Sequence, residues 1–322
     1  MISVIIVTYN SAAHIARCLE SLAPTDAELI VVDNASRDDT VDAVRKFSRV
    51  KLIQPGANLG FAGGCNLGAR QSNGEVLLFL NPDTSLRSSL APMERALQEN
   101  PNCVAAGAQL VDASGLPQRG FLVRRFPSTT AVVFEMLLIN RLLPNNPVNR
   151  RYRYWDMDPT QPANVDQPAG AALMVKRRDF EAVGGFDERF YPLWFEDVDL
   201  CLRLKRAGGM IAYIPDVVIE HQGGHSLASV DFSEKQVYWY RNLIYYVGKN
   251  LGWRASCLVR AALLCGLGLR ITAELTGLVI GPIIEWISSR PRTQSRVRNA
   301  RVEAYWRAAR VAFASHAVVR SS

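Results

Sequence analysis

Short apolar runs in the N-terminal part of the chain indicate buried strands. Three of them, at residues 4–7, 29–32 and 76–80, are continuous and rich in Val, Ile or Leu. Runs that do not alternate with polar residues are typical of parallel strands covered on both faces. The same pattern resumes at residues 170–175. We therefore predict a mostly parallel sheet.

Helical spacing separates these runs. After Ser11, apolar residues recur every three or four positions, and the same spacing follows Asp38 and Asp39. Serine and aspartate often precede helices because their side chains accept hydrogen bonds from free backbone N–H groups. Alternating strands and helices predict right-handed crossovers and an open α/β sheet with helices on both faces.

Polar residues follow each of the first three predicted strands. Asn10, Asp33 and Asp83 each come within a few residues of a strand's end. In open α/β sheets, ligands bind beyond the carboxyl ends of the parallel strands. The pattern predicts that the three side chains face one crevice. The alternative is that Asn and Asp open turns or cap helices, which is their commonest use.

A glycine-rich segment, NLGFAGGCNLG at residues 58–68, precedes a predicted helix. Glycines at such a position allow backbone N–H groups to approach a phosphate, and the helix dipole adds positive potential. The segment does not follow the first strand, so it does not match the dinucleotide-binding fingerprint. Tight packing of the helix on the sheet is an equally good explanation.

Residues 184–203 contain the highest concentration of candidate catalytic side chains. An aromatic-rich loop that contains Trp194 leads into Glu196, Asp197 and Asp199, in the first turn of a predicted helix. Acids at a helix N-terminus are stabilised by the macrodipole, so capping alone is one explanation. The other is a sugar-sized pocket with an apolar wall, in which a carboxylate acts as a general base.

Composition and charge exclude several classes of protein. The 322 residues, 48% of them hydrophobic, can bury a large core. The six cysteines form no CxxC pair, which argues against a disulfide framework or zinc site and favours a reducing, cytosolic compartment. The N-terminal apolar run is too short for a signal peptide. The net charge of +7 comes from eight Arg against one Glu in residues 290–322, so we expect no nucleic-acid partner.

The C-terminal region turns helical from Ser233 and then strongly apolar from residue 257. A membrane-spanning helix needs about 20 mostly apolar residues, and four charges interrupt the run. We therefore predict helices that lie in the plane of a membrane or dock on the catalytic domain. On the last predicted helix, apolar residues share one face, which we call the apolar arc, and arginines lie on the opposite face. Such a helix suits an anionic membrane surface. The interrupting charges are Arg260, Arg270, Glu274 and Glu285; the arc is Val302, Tyr305, Trp306, Ala309 and Phe313.

Taken together, six motifs resemble glycosyltransferase family 2, in its rhamnosyltransferase-like branch. In chain order they are SVIIVTYN, VVDNASRDDT, NLGFAGGCN, LLFLNPDT, GGFDERFYPLWFEDVDLCLRLKRAG and EHQGGHS, within residues 1–226. The resemblance implies a GT-A fold over residues 1–232, with a nucleotide-sugar half at about 1–110 and an acceptor half at about 111–232. Residues 233–322 would form a helical appendage. It also implies a nucleotide-sugar donor, a divalent cation (Mg²⁺ or Mn²⁺) and inversion at the anomeric carbon.

The resemblance also implies roles for individual residues. Asp197 matches the catalytic base. Asp83 matches the metal-binding acid of the family's DxD motif, Asn81 stands where the first Asp often is, and His221 is a second candidate metal ligand. Trp194, Glu196 and Arg203 would contact the acceptor or support the acids. The residues matched to nucleotide and donor binding are Thr8, Asn10, Asp33, Asn58, Gly60, Asn66, Asn81 and Asp83.

The function expected from the resemblance is transfer of a sugar, with rhamnose as the candidate, from a dTDP- or UDP-linked donor. The acceptor would be a glycan or a polyprenyl-linked glycan in surface polysaccharide synthesis, at the cytoplasmic face of the plasma membrane. Two alternatives remain open at this point. One is a nucleotidyltransferase, although TYNSAAH after the first strand is not the basic glycine-rich loop of that class. The other is a nucleotide- or glycan-binding module without catalysis.

Overall fold

The computed structural model describes residues 1–223, 231–288 and 294–313. The chain divides into two compact units, each built from two separate stretches. The first, which we call the sheet unit, comprises Met1–Phe126 and Arg150–Ser229; the second, the helical unit, comprises Pro127–Asn149 and Val230–Ser322. All six cysteines are free.

A nine-stranded sheet forms the centre of the sheet unit. Its strand order is β3-β2-β1-β4-β10-β6-β11-β5, and β8 pairs with β11. Six strands (β1, β2, β3, β4, β6 and β11) run in one direction and three run in the other, so the predicted mostly parallel sheet is confirmed. The strands are β1 (Ile2–Thr8), β2 (Glu28–Asp33), β3 (Val50–Ile53), β4 (Val76–Leu80), β5 (Thr84–Leu86), β6 (Cys103–Val111), β8 (Ala163–Asn164), β10 (Ala172–Lys176) and β11 (Met210–His221). A separate pair, β7 (Val123–Arg124) and β9 (Gln167–Pro168), is antiparallel.

Helices cover the sheet. Every residue of β4 is buried, which requires packing on both faces of the sheet. Ser11 and Asp39 precede the first two helices, as predicted, although neither side chain makes a capping hydrogen bond. The helices are α1 (Ala12–Leu22), α2 (Thr40–Arg45), α3 (Gly60–Arg70), α4 (Ala91–Glu99), α8 (Arg177–Ala182) and α9 (Glu196–Arg206), with α7 (Pro147–Tyr152) at the junction between stretches of the two units.

The helical unit differs from the predicted domain division in one respect. Residues 127–149, which we expected in the acceptor half, pack with the C-terminal helices. The contact is specific, because Arg270 Nη1 donates to the backbone oxygen of Met136 at 3.0 Å. The helices of this unit are α5 (Thr129–Met136), α6 (Ile139–Leu142), α10 (Phe232–Asn250), α11 (Trp253–Ser288) and α12 (Gln294–Phe313).

The apolar C-terminal region forms one continuous helix, α11, where we expected several. Three of the four charges expected to interrupt it, Arg260, Arg270 and Glu274, have partners inside the unit, and the side chain of Glu285 lies outside the described residues. Arg260 donates to the backbone oxygen of Ala312, and Glu274 pairs with Arg301 at 3.3 Å. By length and composition alone, Trp253–Thr276 is apolar enough to cross a membrane.

The predicted apolar arc of α12 is only partly correct. A stripe of small residues, Ala304, Ala308 and Ala312, is buried against the unit, whereas Trp306 and Phe313 of the predicted arc are exposed. Alanines at this spacing let helices approach closely, so packing rather than side-chain hydrophobicity selects the buried face. Arg290, Arg292 and Arg320 of the basic tail lie outside the described residues, as does the end of the EHQGGHS motif.

Candidate active site

The carboxyl ends of β1 and β2 place Thr8 beside Asp33. The two residues are partners in the parallel ladder, and Thr8 Oγ1 donates to Asp33 Oδ1 at 3.1 Å. Ser36 donates to the same carboxylate from its hydroxyl at 2.5 Å and from its backbone N–H at 3.1 Å. Asn10, at a φ of +52°, accepts from the backbone N–H of Arg37 at 2.8 Å. Thr8, Asn10 and Asp33 therefore meet at one end of the sheet.

The start of α3 is tied to the aromatic loop that precedes α9. Gly60 has a φ of +72°, and a Cβ there would lie 2.9 Å from the backbone oxygen of Pro192. Asn58 Oδ1 accepts from the Gly60 N–H at 2.8 Å, and Asn34 Nδ2 donates to the Gly60 oxygen at 2.9 Å. Only glycine satisfies both the backbone conformation and the close approach.

The remaining glycines of this segment serve packing. A Cβ on Gly68 would lie 2.5 Å from Ile5 Cγ2, because α3 lies directly on β1. The Asn66 side chain is also used structurally: it donates to the Phe186 oxygen at 2.9 Å and to Glu188 at 2.8 Å, and it accepts from the Phe186 N–H at 2.9 Å. The close-packing explanation therefore holds for the body of α3, and Asn66 holds the loop in place.

Asp197 lies in the first turn of α9 with its carboxylate held by two backbone groups. The N–H of Gly170 donates to Oδ2 at 2.9 Å, and the N–H of Val198 donates to Oδ1 at 2.8 Å. Burial raises the pKa of Asp197, while these two N–H groups and the positive charge of Arg124 act in the opposite direction. The carboxylate is thus oriented and desolvated, as a general base requires.

Glu196 is the neighbour of Asp197 in the first turn of α9. Its side chain is buried, and Oε2 has no hydrogen-bond partner among the described residues. Burial, and then the negative charge of Asp197, raise the pKa of Glu196 well above its ordinary value. Two adjacent carboxyl groups in unequal environments separate into one acid and one base. Asp197 receives two N–H hydrogen bonds that favour its charged form.

Asp83 and His221 form the other end of the site. Asp83 is 6% exposed, and its Oδ1 has no hydrogen-bond partner in the described part of the chain. His221 Nε2 lies 3.7 Å from that oxygen, because β11 pairs His221 with Thr84. No group of three or more His, Cys, Asp or Glu able to hold a metal occurs among the described residues. The orphaned oxygen and the ring nitrogen fit a divalent cation that takes its other ligands from substrate and water.

The pairing of β4 with β10 brings the end of the site that contains Asp83 close to the end that contains Asp197. The N–H of Asn81 donates to the backbone oxygen of Ala171 at 3.0 Å, and Leu80 is the ladder partner of Ala172. The preceding residue, Gly170, is the one that binds Asp197. Asp83 and Asp197 therefore lie at the same edge of the sheet.

Other predicted residues support this arrangement. Arg203 donates to Asp199 Oδ2 and to the backbone oxygen of Val183, both at 2.7 Å, which braces α9 against the preceding loop. Trp194 has a φ of +78°, a strained value for a bulky residue, in the turn that aims Asp197. The sequence analysis gave no role to Gly170 and Arg124, which no motif includes, or to Asn34, which lies inside the VVDNASRDDT motif.

Comparison with known protein families indicates the class of enzyme in which such a site occurs. The family model "Glycosyl transferase family 2" matches residues 3–151, and the model "N-terminal domain of galactosyltransferase" matches residues 158–222. The first range includes Asp33 and Asp83, and the second includes Asp197 and His221. These matches support a glycosyltransferase of family 2. The chain is therefore an enzyme that transfers glycosyl groups, which decides against the nucleotidyltransferase and the non-catalytic module.

Relatives and solved structures agree with this family 2 assignment. The N-acetylglucosaminyl-diphospho-decaprenol L-rhamnosyltransferase of Mycobacterium tuberculosis is 29% identical over 270 residues, 79% of this chain and 86% of the relative. The mannosyltransferase PcManGT of Pyrobaculum calidifontis, solved with GDP-Man and Mn²⁺, superposes with a TM-score of 0.54 at 17% identity. The match covers 97% of this chain and 86% of PcManGT.

A second solved structure, GalNAc-T7 with UDP, GalNAc and Mn²⁺, also has a TM-score of 0.54, at 16% identity. The match covers 77% of this chain, which spans only about half (47%) of the length of GalNAc-T7. At these identities the two likenesses speak for the fold alone. The GT-A fold predicted for this glycosyltransferase is confirmed.

Gly170→Ala tests the contact between Gly170 and the Asp197 carboxylate in this glycosyltransferase. A Cβ at position 170 would lie 2.9 Å from both Cβ and Oδ2 of Asp197, so the carboxylate must move. We expect kcat for release of nucleoside diphosphate to fall roughly 100-fold, the effect of displacing a catalytic group by about 1 Å. Gly268→Ala, where a Cβ meets nothing within 4 Å, is the matched control. Equal rates for both variants would contradict the assigned contact.

Glu196→Gln tests whether Glu196 is held neutral. The folded enzyme binds this proton more tightly than the unfolded chain, so wild-type stability falls as pH rises from about 4.3 toward the raised pKa. Glu196→Gln has no proton to lose at this position, so its stability does not fall in this way as pH rises. Its denaturation temperature should exceed the wild-type value by roughly 2–4 °C or more at about pH 8, with a smaller gap at about pH 5. The exposed Glu75→Gln is the control, and a variant less stable at every pH would refute the assignment.

Proposed function

We propose that this enzyme transfers a hexose, with inversion, from a nucleoside diphosphate sugar to a lipid-linked glycan acceptor in surface polysaccharide synthesis. The convergence of Asp83, His221 and Asp197 on one edge of the sheet, through the Asn81–Ala171 and Gly170–Asp197 hydrogen bonds, carries the proposal. A donor that extends from the ends of β1 and β2 would present its diphosphate near Asp83 and its sugar near Asp197.

Thr8 and Asp33 suit the base of the nucleotide. The Asp33 carboxylate accepts three hydrogen bonds from Thr8 and Ser36, and a carboxylate has about four acceptor positions. One position therefore remains for the N3–H of a pyrimidine, a group that dTDP and UDP share. Asn10, Asn58, Gly60 and Asn81 belong to the loops that surround the donor in this proposal.

The reaction needs one base and one displacement. Asp197 accepts the proton of the acceptor hydroxyl, the hydroxyl oxygen bonds to C1 of the sugar, and the C1–diphosphate bond breaks as the nucleoside diphosphate leaves with its electron pair. A divalent cation, Mg²⁺ or Mn²⁺, held by Asp83 and His221, would neutralise charge on the leaving diphosphate. In this proposal Glu196, which is buried and whose pKa is raised well above its ordinary value, does not act as a nucleophile, so the transfer proceeds with inversion.

The activity of the mycobacterial relative supports the proposed choice of donor and acceptor. The mycobacterial relative, matched over 86% of its length, is an L-rhamnosyltransferase that acts on a polyprenyl diphosphate-linked sugar. We therefore propose L-rhamnose from a dTDP donor, and a polyprenyl diphosphate-linked glycan as acceptor. In this proposal Trp194, which lies three positions before Asp197 in the chain, bounds the acceptor side.

The helical unit is suited to bring the enzyme to such an acceptor. Its longest helix, α11, exposes an uncharged apolar face along Leu258, Ala261, Leu269 and Leu275, whereas Arg260 and Arg270 hydrogen-bond backbone oxygens within the unit. On α12, Trp306 and Phe313 are exposed near Arg307 and Arg310. We propose that these surfaces lie in the headgroup region of an anionic cytoplasmic leaflet.

Asp197→Asn and Asp83→Asn should separate chemistry from donor binding. An amide in place of the Asp197 carboxylate cannot accept the acceptor proton, so we expect a loss of about 10²–10⁴-fold in kcat with nucleotide affinity kept. Asp83→Asn should instead weaken cation-dependent binding of the donor. Release of dTDP, with dTDP-rhamnose, Mg²⁺ and a polyprenyl diphosphate-linked acceptor, measures kcat; calorimetry measures nucleotide affinity. Normal turnover by the first variant would exclude Asp197 as the base.

The double variant Leu258→Asn/Leu269→Asn tests membrane association. Both leucines are more than half exposed, so folding should be unaffected. Burying one leucine side chain contributes about 1.5–3 kcal/mol, and partitioning into phosphatidylglycerol vesicles should therefore fall about tenfold or more. Vesicle flotation of the full-length chain provides the measurement. Truncation is unsuitable because residues 127–149 would lose their partner helices.

Leu116→Asn, at an exposed leucine of the sheet unit, is the control for the flotation experiment. It should float like the wild type. If the double variant also floats like the wild type, the apolar face of α11 does not bind lipid.

A further inference from the structure

Gln118 contacts His221 on the edge of the imidazole ring that carries Nδ1. Gln118 lies in the segment after β6, where its own N–H donates to the Leu110 oxygen at 2.9 Å. Its side chain makes two contacts with His221. Gln118 Nε2 donates to the His221 backbone oxygen at 2.7 Å, and Gln118 Oε1 lies 3.0 Å from His221 Nδ1.

The pair of contacts determines which ring nitrogen carries the proton. A backbone carbonyl oxygen only accepts hydrogen bonds, so the NH₂ group of Gln118 must face the His221 oxygen. The amide oxygen of Gln118 must then face Nδ1, and Nδ1 must donate to it. In the neutral imidazole the other nitrogen, Nε2, is left with its lone pair.

The lone pair of Nε2 lies on the side of Asp83. The 3.7 Å between Nε2 and Asp83 Oδ1 is too long for a hydrogen bond, and Oδ1 is an unpartnered buried acceptor within the described ranges. Two acceptor atoms that face each other across this gap are complementary to a cation. The ring of Phe121 stacks on the imidazole at 5.2 Å between centroids and 5° between planes, which holds the ring plane in place.

We propose that Gln118 is a positioning residue for the divalent cation: it keeps His221 in the Nδ1–H tautomer, so that Nε2 is available as a metal ligand. The inference rests on the metal site of the proposed function. A hydrogen bond from the far nitrogen of a ligating histidine fixes its tautomer and orientation and increases its basicity. A Gln118 that only tied its segment to β11 would leave tautomer and metal affinity unchanged.

The tautomer is measured without metal, on the full chain labelled with ¹⁵N-histidine. Long-range ¹H–¹⁵N spectra at about pH 8, above the ordinary histidine pKa of about 6.5, distinguish the two neutral forms. The signals of His221 are assigned by their absence from His221→Gln. We expect the Nδ1–H form in the wild type and its loss in Gln118→Leu.

Metal affinity is measured with Mn²⁺ as the probe, by the electron paramagnetic resonance of the free ion in the presence of dTDP. Gln118→Leu should bind Mn²⁺ about 10–100-fold more weakly than the wild type. Gln109→Leu is the matched control, because Gln109 also donates to a backbone oxygen, but to that of Pro159, at 3.2 Å, and not to that of His221. It should bind Mn²⁺ like the wild type.

The outcomes separate the inference from the function on which it rests. An Nε2–H tautomer in the wild type overturns the role of Gln118, and this measurement does not depend on whether Gln118→Leu folds. Equal Mn²⁺ affinity in the wild type and Gln118→Leu also overturns it while leaving the metal site standing. A wild type that binds no Mn²⁺ with dTDP would remove the metal site itself, and the role of Gln118 with it.

Discussion

The antiparallel pairing of β10 with β4 is the constraint on which the active site depends. One hydrogen bond, from Asn81 to Ala171, joins the strand that leads to Asp83 to the strand preceded by Gly170, and Gly170 in turn holds Asp197. Two carboxylates that are 114 positions apart, from 83 to 197, thereby share one sheet edge. Without this pairing, the strand that leads to Asp83 and the start of α9 would not lie at the same edge of the sheet.

Burial then gives the acids different roles. Glu196 and Asp197 are adjacent in sequence, yet only Asp197 receives N–H donors from both Gly170 and Val198. A buried carboxyl group without such donors retains its proton, because its charged form is poorly solvated. At the other end of the site, the buried Asp83 Oδ1 has no hydrogen-bond partner among the described residues, so a cation would satisfy it.

Much of the fold was predictable because it rests on local pattern. Continuous apolar runs predicted β1, β2 and β4, and the motifs predicted a GT-A enzyme of family 2, which the comparisons confirm. The prediction failed where packing partners are distant. Residues 127–149 carry no signal that they pair with α11, and the buried face of α12 is an alanine stripe that a hydrophobic wheel does not select. The roles of individual site residues remain predictions, although the structure brings Asp83, His221 and Asp197 together.

The sequence by itself determined which chemistry is present: strand ends that carry Thr8, Asp33 and Asp83, and an acidic helix start at Glu196 and Asp197. These features are local, since strand periodicity and helix preference depend on neighbouring residues. Only the tertiary structure decided which acid receives backbone N–H donors, and which backbone groups and side chains hold Asp197 and His221. Solvation and hydrogen bonding depend on residues such as Gly170 and Gln118, whose proximity to the site arises from strand pairing and has no counterpart in the order of the chain.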